Sequence, residues 1–213
     1  MKRVTVSAVL GLLLVGCHWV GVRGSGQITT DQRTIAAFSE IQADGLFQIE
    51  WHSGAPAVSI TTDRNLLGYI HTQNIDNRLR IHSERHLWPT HGIKVVVSSP
   101  TRTAAKLTGA TRLTANQLTG TKFAVQSSGA ATVTLDGAVD ELLADMTGAS
   151  ELKAESLRTK TAELSTTGAA DADIAVSEIL KVSITGAGKV TYSGNPPTIE
   201  KQITGAGSIR HRE

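Results

Sequence analysis

From Leu107 to the C-terminus, short runs of alternating apolar and polar residues are punctuated by a hydroxyl-Gly-Ala triplet. The triplets are Thr108-Gly109-Ala110, Ser128-Gly129-Ala130, Thr147-Gly148-Ala149, Thr167-Gly168-Ala169, Thr185-Gly186-Ala187 and Thr204-Gly205-Ala206. Their glycines lie 20, 19, 20, 18 and 19 residues apart. Four positions after each glycine stand Leu113, Val133, Leu152, Ala172, Val190 and Ile209; two further on stand Ala115, Leu135, Ala154, Ile174, Tyr192 and His211. Leu142, Leu164, Ile184 and Ile203, before the triplets, serve another side. A period of two marks strands with one face turned inward. A second, longer and near-constant period marks a solenoid. Helices are disfavoured because Thr, Ser and Gly interrupt every candidate window. Residues 106–213 are therefore expected to form a β-helix-like parallel solenoid with coils of about 19 residues, stacked at roughly 4.8 Å. The triplet glycine is expected to supply a corner with positive φ, or room for the adjacent coil.

Residues 34–105 also alternate but lack the short period. Ile35–Ile41, Leu46–Trp51, Ala57–Thr61, Leu79–His82 and Ile93–Val97 are the expected strands. Turn signals at Gly45, Ser53-Gly54-Ala55-Pro56, Asp76-Asn77 and Pro89 separate them. This less regular N-terminal β region is expected to be either wider coils of the same solenoid or a small sheet layer capping one end.

The pattern breaks at the N-terminus. Met1-Lys2-Arg3 is basic, and Val4 to Val15 is a mostly apolar run too short to cross a bilayer as a permanent helix. Leu14-Val15-Gly16-Cys17 closes it as a lipobox, with an aliphatic at −3, a small residue at −1 and then the cysteine that receives diacylglycerol. Residues 1–16 thus read as a lipoprotein signal peptide. Cys17 is the sole cysteine, so it forms no internal disulfide, and its position points to lipidation. Residues 17–33, with Gly21, Gly24 and Gly26, read as the lipidated cysteine and a tether. The expected location is the cell envelope, lipid-anchored. His18 rather than Asp follows the cysteine, the outer-membrane pattern in a diderm host. The membrane is then a partner through the lipid alone.

Composition narrows the function classes. Twenty-one basic and 19 acidic side chains leave a net charge of +2, which gives no electrostatic case for nucleic acid. Aromatics make up 4% of the chain, so the core must rest on aliphatic side chains and Ala.

Aligning the coils places Arg112, Thr132, Glu151, Asp171, Lys189 and Ser208 in one outward column, with Thr114, Thr134, Lys153, Asp173, Thr191 and Arg210 beside it. Glu151 and Asp171 become neighbours, an arrangement suited to a glycosidase carboxylate pair. The surrounding Lys153, Asp173 and Lys189 read instead as an ordinary mixed-charge face, and no catalytic residue is assigned. Around Pro89, His82, Glu84, His86 and His91 would need a folded-back loop to hold a metal. Their spacing matches no defined site, and no metal or other cofactor is expected. The same stretch holds Arg85, His86 and Trp88, candidate contacts for a glycan or an envelope protein. A buried Trp88 closing the solenoid end is the competing reading.

Arg33, Phe38 and Ile41, then Gly45-Leu46-Phe47-Gln48-Ile49, Asp63-Asn65-Leu66 and Asn77-Arg78-Leu79-Arg80-Ile81, together with the recurrent Gly triplets, resemble the auto-transporter adhesin, head-GIN domain family. The likeness runs over about residues 26–211. Where the family shows Gly-Ser-Gly-Asp at its coil corners, most triplets here are Thr-Gly-Ala and the following acidic residue is absent or displaced, so an acidic role at those corners is not carried over. The resemblance implies a right-handed β-helix-like fold and an envelope location. The leading expectation is a non-catalytic binding, adhesion or structural module. A carbohydrate-active enzyme using Glu151 and Asp171 is the alternative, and a metal-binding lipoprotein the weaker one.

Overall fold

A computed structural model of the chain describes residues 21–213, so the signal segment and Cys17 lie outside the described residues. The N-terminal part holds β1 (Val22–Arg23), β2 (Ile28–Arg33), β3 (Glu40–Gly45), β4 (Phe47–Ser53) and β5 (Ala57–Asp63). A 3-10 turn over Arg64–Tyr69 leads to β6 (Ile70–Ile75), β7 (Arg78–Ser83), β8 (Leu87–Trp88) and β9 (Ile93–Ser99). Then come β10 (Ala104–Gly109), β11 (Arg112–Gly129), β12 (Thr132–Gly148), β13 (Glu151–Gly168), β14 (Asp171–Gly186), β15 (Lys189–Ser193), β16 (Thr198–Gly205) and β17 (Ser208–His211). The fold is almost all-β, a solenoid of about 5 turns with coils about 20 residues apart.

The repeat sets the register residue by residue. Arg112 pairs with Thr132, then Glu151, Asp171, Lys189 and Ser208 in succession. The inward column beside it runs Leu113, Val133, Leu152, Ala172, Val190 and Ile209. Across the core lies Ala105, Val125, Ala144, Leu164 and Val182. Both columns mix Leu and Val with Ala, so an aliphatic interior fills without many rings. Each fully buried Leu, Ile or Val adds about 1.5–3 kcal/mol.

The glycine column turns the corner, and both expected roles are present. Gly148 has φ 100°, and a Cβ there would sit 2.5 Å from the carbonyl oxygen of Gly129. That oxygen accepts a hydrogen bond from the Ala149 N–H at 2.8 Å. The next coils repeat the contact, with the Ala169 N–H on Gly148 and the Ala187 N–H on Gly168, both at 2.8 Å. A glycine is required because the coils meet backbone to backbone. Elsewhere the register slips by a residue or more, between Ala115 and Leu118, Thr134 and Asp136, and Ala154 and Arg158. These bulges absorb the unequal coil lengths.

The N-terminal half joins both of its expected alternatives. β3 and β4 form a further parallel coil against β10 and β11, and β7 and β9 form the one outside it. After β1 and β2 the chain enters the solenoid one coil in, at β3 and β4, builds outward to β7 and β9, and returns through β10. Antiparallel strands then seal the outermost coil: β6 on β7, β5 on β9, and β2 on β5. Leu66 of the 3-10 turn is fully buried beneath them. A solenoid end exposes apolar interior and unpaired backbone, and this cap removes both.

Trp51, Phe38 and Phe123 meet in this part of the core, with ring centroids 6.2 and 6.1 Å apart. The Trp51 indole N–H donates to Ser99 Oγ at 2.9 Å. Arg102, 6% exposed, donates to the carbonyls of Trp51, Asn116 and Gln117 at 3.1, 2.7 and 2.6 Å. It thereby pins the first bulge, where Gln117 has φ 54°.

Two expectations are corrected. The strand expected at Ile35–Ile41 is Glu40–Gly45. Phe38 instead enters the core ahead of it, 1% exposed, so its apolar signal belonged to packing rather than to a ladder. Within the segment read as a tether, residues 22–33 carry β1 and β2, and β2 lies antiparallel on β5. Its polar residues suit an outer capping strand, which is why composition made it look like a linker.

Candidate functional site

Where β3 turns into β4 across Gly45-Leu46, the outermost coil needs the whole stretch from Glu84 to Gly92 between β7 and β9. The unusual histidine-rich segment is therefore an enlarged corner. Several backbone bonds fix it. The Val22 N–H donates to the His86 carbonyl and the Gly24 N–H to that of Trp88, each at 2.9 Å. The Glu84 N–H donates to the Tyr69 carbonyl at 2.9 Å.

Strand alternation then decides the side chains. Leu87 points in, 3% exposed, while Trp88 points out, 46% exposed. Trp88 does not close the solenoid end. The His86 ring meets it edge-on at 4.7 Å, and the Arg85 guanidinium lies 5.8 Å from the centre of the Tyr69 ring. Arg85, His86 and Trp88 thus share one corner, with Arg85 turned toward the 3-10 turn. An aromatic body flanked by cationic and imidazole groups suits stacking with polar capture at its rim.

Asp63 holds this corner to the N-terminal segment. It is 0% exposed. Its carboxylate accepts from the Gly26 N–H at 2.7 Å, the Thr90 N–H at 2.8 Å and the Thr90 hydroxyl at 2.9 Å. Burial opposes its ionisation, but the hydrogen bonds from Thr90 and Gly26 outweigh that and hold its carboxyl below the ordinary value of 3.8. Asn65 adds a second clip, accepting from the Ser25 N–H at 2.9 Å and donating to the Arg23 carbonyl at 2.7 Å. Sequence reasoning gave Asp63 no such role. Its signal is a charged residue closing an alternating strand, and its partners lie 27 and 37 residues away.

The histidines do not converge. His82 faces His71 across β6–β7, their rings 5.3 Å apart, and Glu84 reaches His71 at 3.5 Å. His86 packs on Trp88, and His91 bonds Thr90 at 3.0 Å. Among the described residues no three His, Cys, Asp or Glu side chains gather into a metal site.

Glu151 and Asp171 are paired across β13–β14, as the repeat required. Glu151 is bound by Lys153 at 3.2 Å, and Asp171 accepts the Lys189 backbone N–H at 3.1 Å. Opposite Lys153 stands Asp173, which Arg212 engages at 2.7 Å. The pair is one stretch of a charge-balanced open face.

The match to the family described as "putative auto-transporter adhesin, head GIN domain" spans residues 37–196. The chain belongs to this family. The head-GIN match covers the capped N-terminal coils and most of the regular ones. A putative adhesin from Bacteroides fragilis NCTC 9343 superposes with a TM-score of 0.74 at 20% identity, over 90% of this chain and 100% of that one. A putative adhesin from Parabacteroides merdae ATCC 43184 gives 0.59 at 21% identity, over 91% and 99%. A putative lipid binding protein from Parabacteroides distasonis ATCC 8503 gives 0.55 at 20%, over 90% and 99%. These likenesses are of fold. No curated protein matches the chain. Head-GIN membership points to a cell-surface or envelope protein.

Proposed function

We propose that this head-GIN protein is a non-catalytic binding module of the cell envelope, anchored by lipid on Cys17 and making an adhesive contact through Trp88, His86 and Arg85. The observation that carries the reading is the enlarged corner of the outermost coil. A large aromatic side chain is half-exposed there on a short strand held by backbone bonds to β1 and, through Thr90, by Asp63. A contact residue held in place loses little freedom on binding. The partner is a glycan, with an envelope protein as the other candidate of the same contact.

The test incubates the purified chain with immobilised bacterial and host polysaccharides and with envelope proteins, and records both retained protein and released oligosaccharide. Retention that falls about tenfold or more in Trp88→Ala and is unchanged in Glu151→Gln supports the reading. Released oligosaccharide that Glu151→Gln abolishes refutes it in favour of a carbohydrate-active enzyme.

A further inference from the structure

A groove of about 450 Å³ runs over the bulged part of the solenoid, and none of its lining residues belongs to the Trp88 corner. It crosses successive coils at Gly120, Val139, Thr159, Val176 and Gly194. Its volume lies within the range of small-molecule sites, about 300–1,000 Å³. The floor is apolar: Val139 and Val176 show only 6% and 3% of their surface, and the alanines 138 and 175 flank them.

The polar groups in the groove divide sharply. Thr159 donates its hydroxyl to the Ala175 carbonyl at 2.7 Å, and Ser177 donates to the Thr159 carbonyl at 3.2 Å. Lys160 is held by Asp140 at 2.8 Å. Arg158 differs from all of these. Its register neighbours on both sides are alanines, Ala138 and Ala175, and among the described residues it forms no ion pair. An exposed arginine paired with an alanine on each side, lining a groove with an apolar floor, is complementary to an anion carrying its own apolar tail. From Arg158 the floor extends two coils toward Gly194, about 10 Å at the strand spacing. That length suits a medium-chain acyl group.

We propose that this groove binds a free medium-chain fatty acid, its carboxylate on Arg158 and its tail over Ala175 and Val176. Arg158 supplies a two-pronged donor matched to a carboxylate. The tail displaces water from the apolar surface of Ala175 and Val176.

Isothermal titration of the full chain with decanoate, below its micelle concentration, tests this. Saturable binding is expected. Decanol, which lacks the carboxylate, should bind about tenfold more weakly or worse, and so should decanoate to Arg158→Gln. Ala175→Leu should fill the floor and remove binding while butanoate stays silent throughout. Arg158 is exposed, so Arg158→Gln keeps the fold, and its melting temperature serves as the check. No saturable binding, or equal binding of decanoate and decanol, overturns the proposal. So does decanoate binding that Arg158→Gln leaves unchanged, or binding only to vesicles of anionic phospholipid.

Discussion

Gly148→Ala isolates the constraint that joins one coil to the next. Two separate penalties fall on it. At φ 100° a residue with a Cβ costs about 1–2 kcal/mol in backbone strain. The new methyl would also stand 2.5 Å from the Gly129 oxygen, so the corner must open and the Ala149 bond to that oxygen is lost, about 1 kcal/mol more. With the packing disturbed behind it, the total is about 3–4 kcal/mol. In a chain of 213 residues this lowers the melting temperature by about 10 °C. Two controls separate the penalties. Gly26 has φ 78° but nothing within 4 Å of its Cβ position, so Gly26→Ala should cost only the strain, about 1–2 kcal/mol. Gly68 has open space and no positive φ, so Gly68→Ala should be neutral or gain about 0.4–1 kcal/mol. Urea unfolding followed by circular dichroism ranks the three. If Gly148→Ala proves no worse than Gly26→Ala, coil-to-coil backbone contact is not what demands glycine at the corners.

Arg102→Ala strands the carbonyls of Trp51, Asn116 and Gln117 and should cost about 2–4 kcal/mol, with Arg102→Lys recovering only part of it in the same titration. The Thr166 hydroxyl is buried without a hydrogen-bond partner among the described residues, so Thr166→Val should stabilise by about 1 kcal/mol; destabilisation would contradict this. Asp63 has a lowered carboxyl pKa, so the stability it contributes is complete above its ordinary value of 3.8 and is lost as pH falls through its lower folded value. Asp63→Asn should therefore flatten the fall in stability on the acid side, read from urea midpoints between neutral and strongly acid pH. In the last described coil, Lys201 takes the inward place that Val182 holds in the coil before, its ammonium 5.8 Å from the Tyr192 ring. A charge at that place guards an edge where Ile199 and Ile203 are 37% and 43% exposed, and Lys201→Val should produce concentration-dependent association in sedimentation velocity.

The regular half was legible because one local rule repeats. Once Thr147-Gly148-Ala149 is aligned on its copies, the columns beside the triplet follow, from Arg112 to Ser208 and from Leu113 to Ile209, and the pairing of Glu151 with Asp171 is arithmetic. The capped half was not legible to the same degree, since its pairings are non-local and change direction. Nothing near Ile28 announces that it will lie opposite Asp63 in an antiparallel pair. Phe38 was misplaced into a strand because one apolar residue looks alike in a ladder and in a core plug. The Arg85, His86 and Trp88 corner stood out through rare residue types, whereas the groove at Arg158 was hidden. Its flanking alanines come into register only through two bulges, one between Thr134 and Asp136 for Ala138 and one that skips from Ala154 to Arg158 for Ala175, and a strict repeat cannot foresee them.

The clip between β1 and β8 has a mechanical consequence. A pull arriving from the residues before Gly21 enters the domain through the two-residue β1 and its neighbours Ser25 and Gly26. β1 grips the very strand that carries Trp88. Load between that end of the polypeptide and anything held at Trp88 therefore crosses one short pair of strands and bypasses the stacked coils. The solenoid rides as unstretched ballast, and the weakest link is a handful of backbone bonds reinforced by the Asp63 carboxylate and the Asn65 amide. A tug large enough to part them would peel β1 from β8 while the stacked coils stay paired, which makes the clip a mechanical fuse.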